Sequence, residues 1–433
     1  MNGGVREALE RPWFHLIEGG PPSVFVVPGS MLFDVEENFF DALRRDDPHA
    51  LDELRALSVF APEPRDASRL EPVTALSLNV AQACNLACAY CYADEGRFGG
   101  SARLMSASVA RSGIDRLIRD AKGRDVTVGF IGGEPFLNRG VIHDAVAHAR
   151  AAAGHAGIRV RFSVTTNATL LTGEDIALLS EHGFTVTVSL DGDRDRNTNR
   201  LTHGGADSSE ATLRGIQPLL TNPGSARIAV RCTITRQDLD VAARVRSLGA
   251  LGFTEIGVSP ARTSPRDDLI LREEDWPVFL DNMIEAAEDE FDQLSSGGKP
   301  RFSNLWNALR AIHRGSARSL PCGSVDSYLS LDADGGFHSC HRTVQTPGFE
   351  MGSIKTGVDT VARRAFLARV EVDLQKPCAS CWARYLCGGG CHAEVAVSGR
   401  SGCDFIRGWL DYCIRKYREA AGAYPGQFAG EVS

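Results

Sequence analysis

Three cysteines, Cys84, Cys88 and Cys91, lie within eight residues, directly after an apolar run that predicts a β-strand. A structural zinc site normally closes with four ligands, and this loop offers no fourth Cys or His. A tetranuclear iron–sulfur cluster takes cysteine ligands at its irons, so three cysteines would leave one iron open to an exogenous ligand. The spacing therefore predicts an incomplete, reactive cluster.

A second cysteine-rich zone follows near the end of the chain. Its members are Cys322, Cys340, Cys378, Cys381, Cys387, Cys391 and Cys403. In a reducing compartment, the chain's twelve cysteines indicate metal or redox chemistry more than disulfides. Gly388–Gly390 would let the backbone turn closely around inorganic sulfurs. A two-zinc ribbon over 378–403 is an alternative, but it leaves the first two cysteines without a role. Because periodicity is weak here, we expect this zone to gain its order from something other than a core.

Repeated βα units must position the first three cysteines, because short β-branched runs alternate with helix-like stretches from residue 74 to about 260. The predicted strands are Thr74–Val80, Asp125–Ile131, Ile158–Thr165, Phe184–Leu190, Arg227–Thr235 and Thr254–Val258, with helices near 106–121, 139–154, 173–183, 209–221 and 239–251. Six units fall short of the eight that close a barrel. We expect an α/β fold with a partial (β/α)6 TIM barrel, open along one side.

The flanking segments complete four predicted domains: 1–70, 71–265, 266–320 and 321–433. The first is a small α+β module with a hairpin of Phe14–Ile17 and Ser23–Val27, helices near 34–44 and 48–57, and a linker at Ala61–Arg69. The second is the barrel. The third is a helical bridge with helices over Arg272–Leu294 and Phe302–Arg314. The last is the cysteine-rich domain with a C-terminal helix.

Composition excludes several classes of function. The 433 residues carry a net charge of −8, which argues against bulk binding to nucleic acid or to an anionic membrane. No stretch approaches the roughly 18 apolar residues that a membrane helix needs, and the N-terminus lacks a secretory signal pattern. We therefore expect a cytoplasmic protein.

Around the first cysteines the sequence resembles the radical S-adenosylmethionine (radical SAM) enzymes, whose signature is CxxxCxxC with an aromatic residue before the last cysteine. The resemblance implies a [4Fe-4S] cluster at these cysteines, with S-adenosylmethionine on its open iron. It also implies cofactor contacts at successive strand ends, from Tyr90, Gly132, Gly133, Glu134, Pro135, Asn167, Ser189, Asp191 and Arg231. An ordinary turn at 132–135, helix caps at Asn167, Ser189 and Asp191, and a structural ion pair at Arg231 are the alternatives. Asn197 and Arg200 follow at a spacing one residue short of the family's and stay unassigned.

The seven later cysteines fit the pattern of the SPASM extension, the iron–sulfur domain of many radical SAM enzymes that modify peptides. This resemblance implies two auxiliary [4Fe-4S] clusters, and hence three clusters in total. The outer cluster would be held by Cys378, Cys381, Cys387 and Cys403, and the inner one by Cys322, Cys340 and Cys391. Cys413 is either the fourth inner ligand or a helix residue. His341 and His392 would donate second-shell hydrogen bonds to these sites, and Cys232 would be a buried strand residue.

The loop over 93–106 resembles that of maturases which install thioether links, including the maturase of the quinohemoprotein small subunit. We therefore hypothesise an enzyme that abstracts a hydrogen atom from a ribosomally made peptide or protein and installs a thioether or C–C crosslink. A sulfatase-type formylglycine maturase and a non-catalytic iron–sulfur electron-transfer scaffold are the alternatives. Relatives often carry an acidic residue after the last strand, and this chain does not, so the catalytic base is unassigned; its candidates are Asp191, Glu255 and Asp326.

Two partners are implied. The order of elements in residues 1–60, including Phe33–Phe39, resembles a winged-helix-like domain that captures precursor peptides by strand addition. A cap that merely docks on the barrel is the alternative. A reductant such as flavodoxin or ferredoxin would supply the electron.

Overall fold

A mixed β-sheet forms the centre of the protein, for which a computed structural model describes residues 13–57 and 70–428. The strands are β1 Phe14–Ile17, β2 Ser23–Val26, β3 Met31–Asp34, β4 Ala75–Gln82, β5 Arg103–Leu104, β6 Val126–Gly132, β7 Val160–Thr166, β8 Thr185–Ser189, β9 Arg227–Ile234, β10 Ile256–Pro260, β11 Tyr328–Leu331, β12 Gly336–His338, β13 Glu350–Ser353 and β14 Gly357–Val358. Strands β4 to β14 make the large sheet, and β1 to β3 make a separate antiparallel one.

Helices connect and flank these strands. They are α1 Glu37–Arg44, α2 Pro48–Leu57, α3 Ala107–Asp120, α4 Arg139–Ala156, α5 Gly173–Glu181, α6 Ser209–Thr221, α7 Val241–Ala250, α8 Asp275–Ser295, α9 Ser303–His313, α10 Thr360–Val370, α11 Arg384–Cys387, α12 His392–Ser398 and α13 Cys403–Ala423. Short 3-10 helices lie at Pro135–Asn138, Asp267–Leu269, His341–Thr343, Val372–Leu374, Cys378–Ser380 and Pro425–Gln427. No helix in the part of the chain that the structure describes has the length and apolarity needed to cross a bilayer.

The six predicted βα strands are confirmed. They pair in parallel in the order β4-β6-β7-β8-β9-β10, which is their order along the chain. Since βα crossovers are right-handed, a strand order that advances in one direction places all the connecting helices on one face, as in a barrel and unlike a doubly wound sheet. The path does not close on itself among the described residues, because it ends at β10 and β14.

The two faces of the parallel strands have opposite character. On the helix side lie fully buried apolar residues such as Val128, Phe130 and Val186. The residues between them point to the other face and are small or polar, for example Ser163 and Arg231. The helix-free face is therefore a polar, partly accessible wall at which a cofactor and a substrate can meet.

The cysteine-rich zone differs from our expectation that it lacks a core. Strand β11 pairs in parallel with β4 and places Ser330 beside Ser77, and β12 to β14 continue the same sheet. Leu329, Phe337 and Met351 are buried in the main hydrophobic core. The expectation was wrong because these strands are only two to four residues long, which is too short for a visible alternation.

The N-terminal module has a third strand, β3, that the sequence did not reveal. One face of its sheet packs against α1 and α2 through Phe14, Val24 and Leu54. The other face contributes Phe25 to the main core. His15 stacks on Trp382 with 3.9 Å between ring centroids, which docks the module on the cysteine-rich domain. The predicted linker at Ala61–Arg69 lies outside the described residues.

Asp175, at the start of α5, offers a test of how the barrel helices are anchored. Its fully buried carboxylate accepts hydrogen bonds from the backbone N–H and hydroxyl of Thr172 and contacts His143 and Arg139. Burial alone would raise the pKa of Asp175, but the hydrogen bonds and the nearby Arg139 have the larger combined effect and hold this pKa below its ordinary value. A carboxylate whose pKa falls on folding stabilises the folded state at pH values above its unfolded-state pKa. This stabilisation is lost as the pH falls through the folded-state pKa.

We therefore expect Asp175→Asn to lower the free energy of unfolding by about 3 kcal/mol at pH 7, because the new amide N–H₂ would face the donors of Thr172. Urea titration measures the change. Glu174→Gln, at the exposed neighbouring position, should stay within about 0.5 kcal/mol of the wild type. An equally small effect of Asp175→Asn would show that the hydrogen bonds between Thr172 and Asp175 at the start of α5 do not stabilise the protein.

Candidate cofactor site

The loop that carries Cys84, Cys88 and Cys91 leaves the carboxyl end of β4 and is held on both sides by backbone hydrogen bonds. On one side, Glu134 N donates to Ala83 O at 2.9 Å. On the other side, Ala87 N donates to Leu201 O at 2.7 Å. The three thiols therefore sit at the edge where the parallel strands end, which is where barrel folds place their chemistry.

Close packing requires glycine at Gly133, which belongs to the predicted Gly132–Gly133 pair, and at Gly96 in the cysteine loop. A side chain at Gly133 would approach Ala83 O to 2.3 Å and Glu95 O to 2.8 Å. A side chain at Gly96, at φ +86°, would meet the Gly133 backbone at 2.5 Å. The cysteine loop thus crosses the end of β6 in direct backbone contact.

We expect Gly133→Ala to displace this loop and, if the first three cysteines hold one of the three clusters that the sequence implies, to lower the iron bound after anaerobic reconstitution by about one third. Iron and sulfide analysis measures the loss. Gly140→Ala is the matched control, because the space around Gly140 in helix α4 is open. Full iron loading of Gly133→Ala would contradict the close-packing argument.

The three thiols influence one another. Burial raises the pKa of Cys84 to about 12, and Glu134, Cys88 and Cys91 act in the same direction. Burial also raises the pKa of Cys88, while the positive charge of Arg200 opposes this. In the described part of the chain, no three His, Cys, Asp or Glu side chains are grouped so as to hold a single metal ion. The donor set itself is three soft, partly buried thiols with a cation beside them, which fits a cluster of net negative charge.

Glu134 has a different role from a freely presented ligand. Its buried carboxylate accepts from Thr166 Oγ1 at 2.7 Å, Asn167 N at 2.7 Å and Phe136 N at 3.1 Å. Burial raises the pKa of Glu134 against these donors. The side chain ties the end of β6 to the end of β7, so contacts to a cofactor from residues 132–135 would come from their backbone.

Tyr90, Asp191 and Arg200 form a buried network beside Cys88. The Tyr90 hydroxyl donates to Asp191 Oδ2 at 2.7 Å and accepts from Arg200 Nη1 at 3.0 Å. Asp191 Oδ1 accepts from Thr233 N at 2.8 Å. Both carboxylate oxygens thus accept a hydrogen bond, and through them Asp191 positions the cysteine loop; a role of Asp191 as catalytic base stays a prediction. Arg200, unassigned from sequence, is central to this network.

The other predicted contacts lie at the same edge. Asn167 donates to Asn85 Oδ1 at 2.9 Å and, weakly, to Cys84 Sγ at 3.8 Å, so it supports the cysteine loop. Ser189 and Arg231 are register partners on neighbouring strands. Arg231 lies over Gly257, whose missing side chain gives it room. Pro135 begins a 3-10 helix and is buried.

Two candidate bases are placed at the wrong edge. Glu255 precedes β10, whose five residues separate it by about 16 Å from the carboxyl ends of the strands. Asp326 precedes β11, which runs parallel to β4, so it also lies at the amino edge. The structure therefore places both away from the cysteine loop. For Asp326 the sequence could not show this, because the direction and the pairing of β11 were not visible in it.

The later cysteines form two groups. Electrostatic interactions connect Cys378 with Cys381, Cys387 and Cys403, and burial raises the pKa of Cys378 to about 11. The same four residues line a cavity of about 500 Å³. A second set of interactions connects Cys340, whose pKa burial raises to about 11, with Cys391 and Cys322. The SPASM resemblance implies the same outer and inner sets, and their role as cluster ligands stays a prediction.

Cys413 lies apart from both groups. It is fully buried in α13 within the main hydrophobic core. Burial raises the pKa of its thiol, and the charge that adds to this effect is that of Asp411. The structure thus supports the helix-residue interpretation of Cys413 and gives no support to its role as a fourth inner ligand.

Several residues that sequence reasoning did not single out connect the two regions. Tyr92 is 43% exposed, its ring lies 4.3 Å from the Arg342 guanidinium, and its electrostatic partners include Cys91, Cys340 and Cys391. Arg342 donates to Glu394 Oε1 at 2.8 Å. These side chains therefore lie between the first three cysteines and the inner group. The ion pair of Arg342 with Glu394 could not be recognised in the sequence, because the two residues are 52 positions apart.

The two histidines that were predicted to donate hydrogen bonds to the clusters, His341 and His392, have protein side chains as neighbours. His341 Nδ1 is 3.2 Å from the hydroxyl of Tyr328, and burial lowers the pKa of His341 to about 4. Burial, Arg369 and Arg342 likewise lower the pKa of His392 to about 4. Both rings are therefore neutral, and hydrogen bonds from them to a cluster stay a prediction.

Residues 78–244 match the Radical SAM superfamily. This confirms the resemblance found in the sequence, and the chain carries a radical SAM domain with its cysteine loop at the expected edge.

The relatives include several enzymes that are named as maturases. The serine-type anaerobic sulfatase-maturating enzyme of Klebsiella pneumoniae is 24% identical over 355 residues, covering 79% of this chain and 86% of the relative. Mycofactocin maturase MftC of Mycolicibacterium smegmatis is 28% identical over 352 residues, covering 76% and 81%. The solved structure of native anSMEcpe with bound AdoMet has a TM-score of 0.69 at 18% identity, covering 81% of this chain and all of that one. Streptococcus suis SuiB bound to precursor peptide SuiA has a TM-score of 0.54 at 13% identity, covering 90% and 98%.

Proposed function

We propose that this protein is a radical SAM maturase that abstracts a hydrogen atom from a ribosomally made peptide or protein and joins two of its residues by a thioether or C–C bond. The observation that carries the proposal is the set of three thiols at the carboxyl edge of six parallel strands, supported by Glu134, Asn167 and the Tyr90 network. Similarity to maturases over three quarters of the chain supports a peptide or protein substrate.

Cys84, Cys88 and Cys91 would hold the first [4Fe-4S] cluster, which with S-adenosylmethionine supplies a 5′-deoxyadenosyl radical. The chain's own residues orient and protect this site. Glu134 fixes the ends of β6 and β7, Arg200 places a cation beside Cys88, and the polar wall of the sheet would carry the substrate. The outer and inner cysteine groups would hold two auxiliary clusters, which can accept the electron released when the new bond forms.

Substrate access is proposed to involve the N-terminal module. The N-terminal module contacts the cysteine-rich domain through His15 and Trp382, and Arg418 on α13 donates to Ser23 at 3.1 Å. A peptide held by this module would therefore be delivered from the side of the auxiliary clusters. Flavodoxin or ferredoxin remains the expected class of reductant, and the cytoplasm the expected compartment.

A sulfatase-type maturase is the second candidate, because the relatives include serine-type anaerobic sulfatase-maturating enzymes. One experiment separates the two. The protein, reconstituted and reduced anaerobically, should form 5′-deoxyadenosine from S-adenosylmethionine, and a small peptide encoded next to its gene should lose two hydrogens per crosslink on co-expression. A formylglycine product would instead react with a hydrazide. Absence of 5′-deoxyadenosine would refute both.

A further inference from the structure

A second cavity adjoins the outer cysteine group. It has a volume of about 290 Å³, and no cysteine lines it. Gly389, Gly390 and Arg400 line both this cavity and the larger one that contains the outer cysteines. A ligand in the smaller cavity would therefore be separated from the proposed outer cluster only by the chain at Gly389 and Gly390 and by the side chain of Arg400.

Two arginines supply its charge. In the described part of the chain, neither Arg369 nor Arg400 forms an ion pair with a carboxylate, although the protein carries a net charge of −8 and most of its buried or partly buried arginines do. Arg400 donates to Gln375 Oε1 and to Gly389 O, which fixes its guanidinium in the wall. One cation is thus held rigidly in the wall without a carboxylate partner among the described residues, although its charge also acts on Cys378 and Cys403 of the outer group.

Arg369 is held differently. Its guanidinium carbon lies 5.3 Å from the ring centroid of Phe349 and 5.2 Å from that of Phe366. Aromatic rings stabilise the flat face of a guanidinium but do not accept the hydrogen bonds of its N–H edge in the plane. Arg369 is exposed, so this edge is oriented by the rings and remains available to an acceptor.

His392 adds an unpartnered polar group. The residue is 8% exposed and lines the cavity. Its Nε2 is 3.4 Å from the hydroxyls of Ser324 and Ser339. Its Nδ1 is buried and has no hydrogen-bond partner among the described residues. A buried polar atom without a partner costs about 1–3 kcal/mol. Two neighbours could supply the missing hydrogen bond of His392: the inner cluster predicted beside Cys391, or an anion in this cavity.

We propose that this cavity is an oxyanion-binding site, in which Arg369 and Arg400 bind the negative charge of a carboxylate or a phosphate. Two guanidinium groups that have no carboxylate partner among the described residues, one fixed in the wall and one stacked on aromatic rings, are groups that bind oxyanions in proteins. The oxyanion is either the acidic side chain of a bound polypeptide or a free small anion. The site is independent of the proposed catalytic activity.

Anaerobic holoenzyme with all its clusters is the protein to test. Its thermal unfolding is followed with increasing sodium phosphate or sodium acetate, with sodium chloride keeping the ionic strength constant. We expect a saturable rise in the unfolding temperature with one of the two oxyanions. Saturation by acetate identifies a carboxylate site, and saturation by phosphate alone identifies a phosphate site. At the carboxylate site, tighter binding of N-acetyl-aspartate amide than of acetate indicates an acidic side chain of a polypeptide, and equal binding indicates a free anion.

Arg369→Gln should weaken the apparent oxyanion affinity about tenfold, the effect of losing one charge-assisted hydrogen bond. Arg364→Gln is the matched control, because Arg364 is exposed on the same helix and does not line the cavity. Arg369→Lys keeps the charge and should lie between Arg369→Gln and the wild type, which guards against a misfolded glutamine variant. Equal oxyanion affinity in wild type and Arg369→Gln, or no effect beyond that of chloride, would overturn the proposal.

Discussion

Cys88→Ala abolishes 5′-deoxyadenosine formation and lowers the bound iron by about one third, if the first three cysteines hold one of three clusters. The reason is geometric as well as chemical. Cys88 lies between Cys84 and Cys91 in the loop and acts electrostatically on the buried Arg200, so its loss removes a ligand and one of the groups that compensate this cation. Liquid chromatography of the quenched reaction and iron analysis measure the two effects.

Cys413→Ala is the matched control for this variant. It removes another buried thiol, but one in the core of α13 and apart from both later cysteine groups. We expect full iron content, full 5′-deoxyadenosine formation and a loss of stability of about 1 kcal/mol from the small cavity. Missing iron in Cys413→Ala would show that it is the fourth inner ligand after all. Unchanged biological function of Cys88→Ala in cells would instead favour the non-catalytic scaffold.

The sequence predicted the part of the fold that alternation encodes. Each of the six parallel strands is long enough to show an apolar run, and a parallel order follows once helices separate the strands. Strands β11 to β14 were missed because they have two to four residues, and because the strand that joins them to the large sheet, β11, pairs with a strand far away in the chain, as Ser330 and Ser77 show. Local pattern cannot show such long-range pairing.

The site divides in the same way. Cysteine spacing and the residues at the strand ends could be recognised because each motif is contiguous in sequence. The catalytic base could not, since its candidates were chosen by residue type and not by the edge of the sheet that they occupy. Arg200 was left unassigned and Tyr92 was missed for a related reason: their roles depend on partners that are distant in the chain. Tyr90, for example, is 110 residues away from Arg200.

The buried network around Arg200 should show strong non-additivity. Arg200 is 6% exposed and acts on Asp191 through the shared Tyr90 hydroxyl. Burial opposes the charge of Arg200, and Tyr90, Cys88 and Asp191 keep its pKa above the ordinary value. Removing either charge alone leaves the other buried with less compensation, which costs about 3–5 kcal/mol. Arg200→Gln and Asp191→Asn should each be destabilised by this amount.

The double variant should be more stable than the sum of the two losses predicts, by about 1–3 kcal/mol, because it buries no uncompensated charge at this position. Urea titration of all four proteins closes the cycle. Arg196→Gln is the control within the same loop, since Arg196 is partly exposed and its ion pair with Asp238, at 3.4 Å, should contribute less than about 1 kcal/mol. Additive losses would mean that Arg200 and Asp191 stabilise the loop separately. Iron loading should follow the same order as stability, because the network holds Tyr90 between Cys88 and Cys91 in the chain.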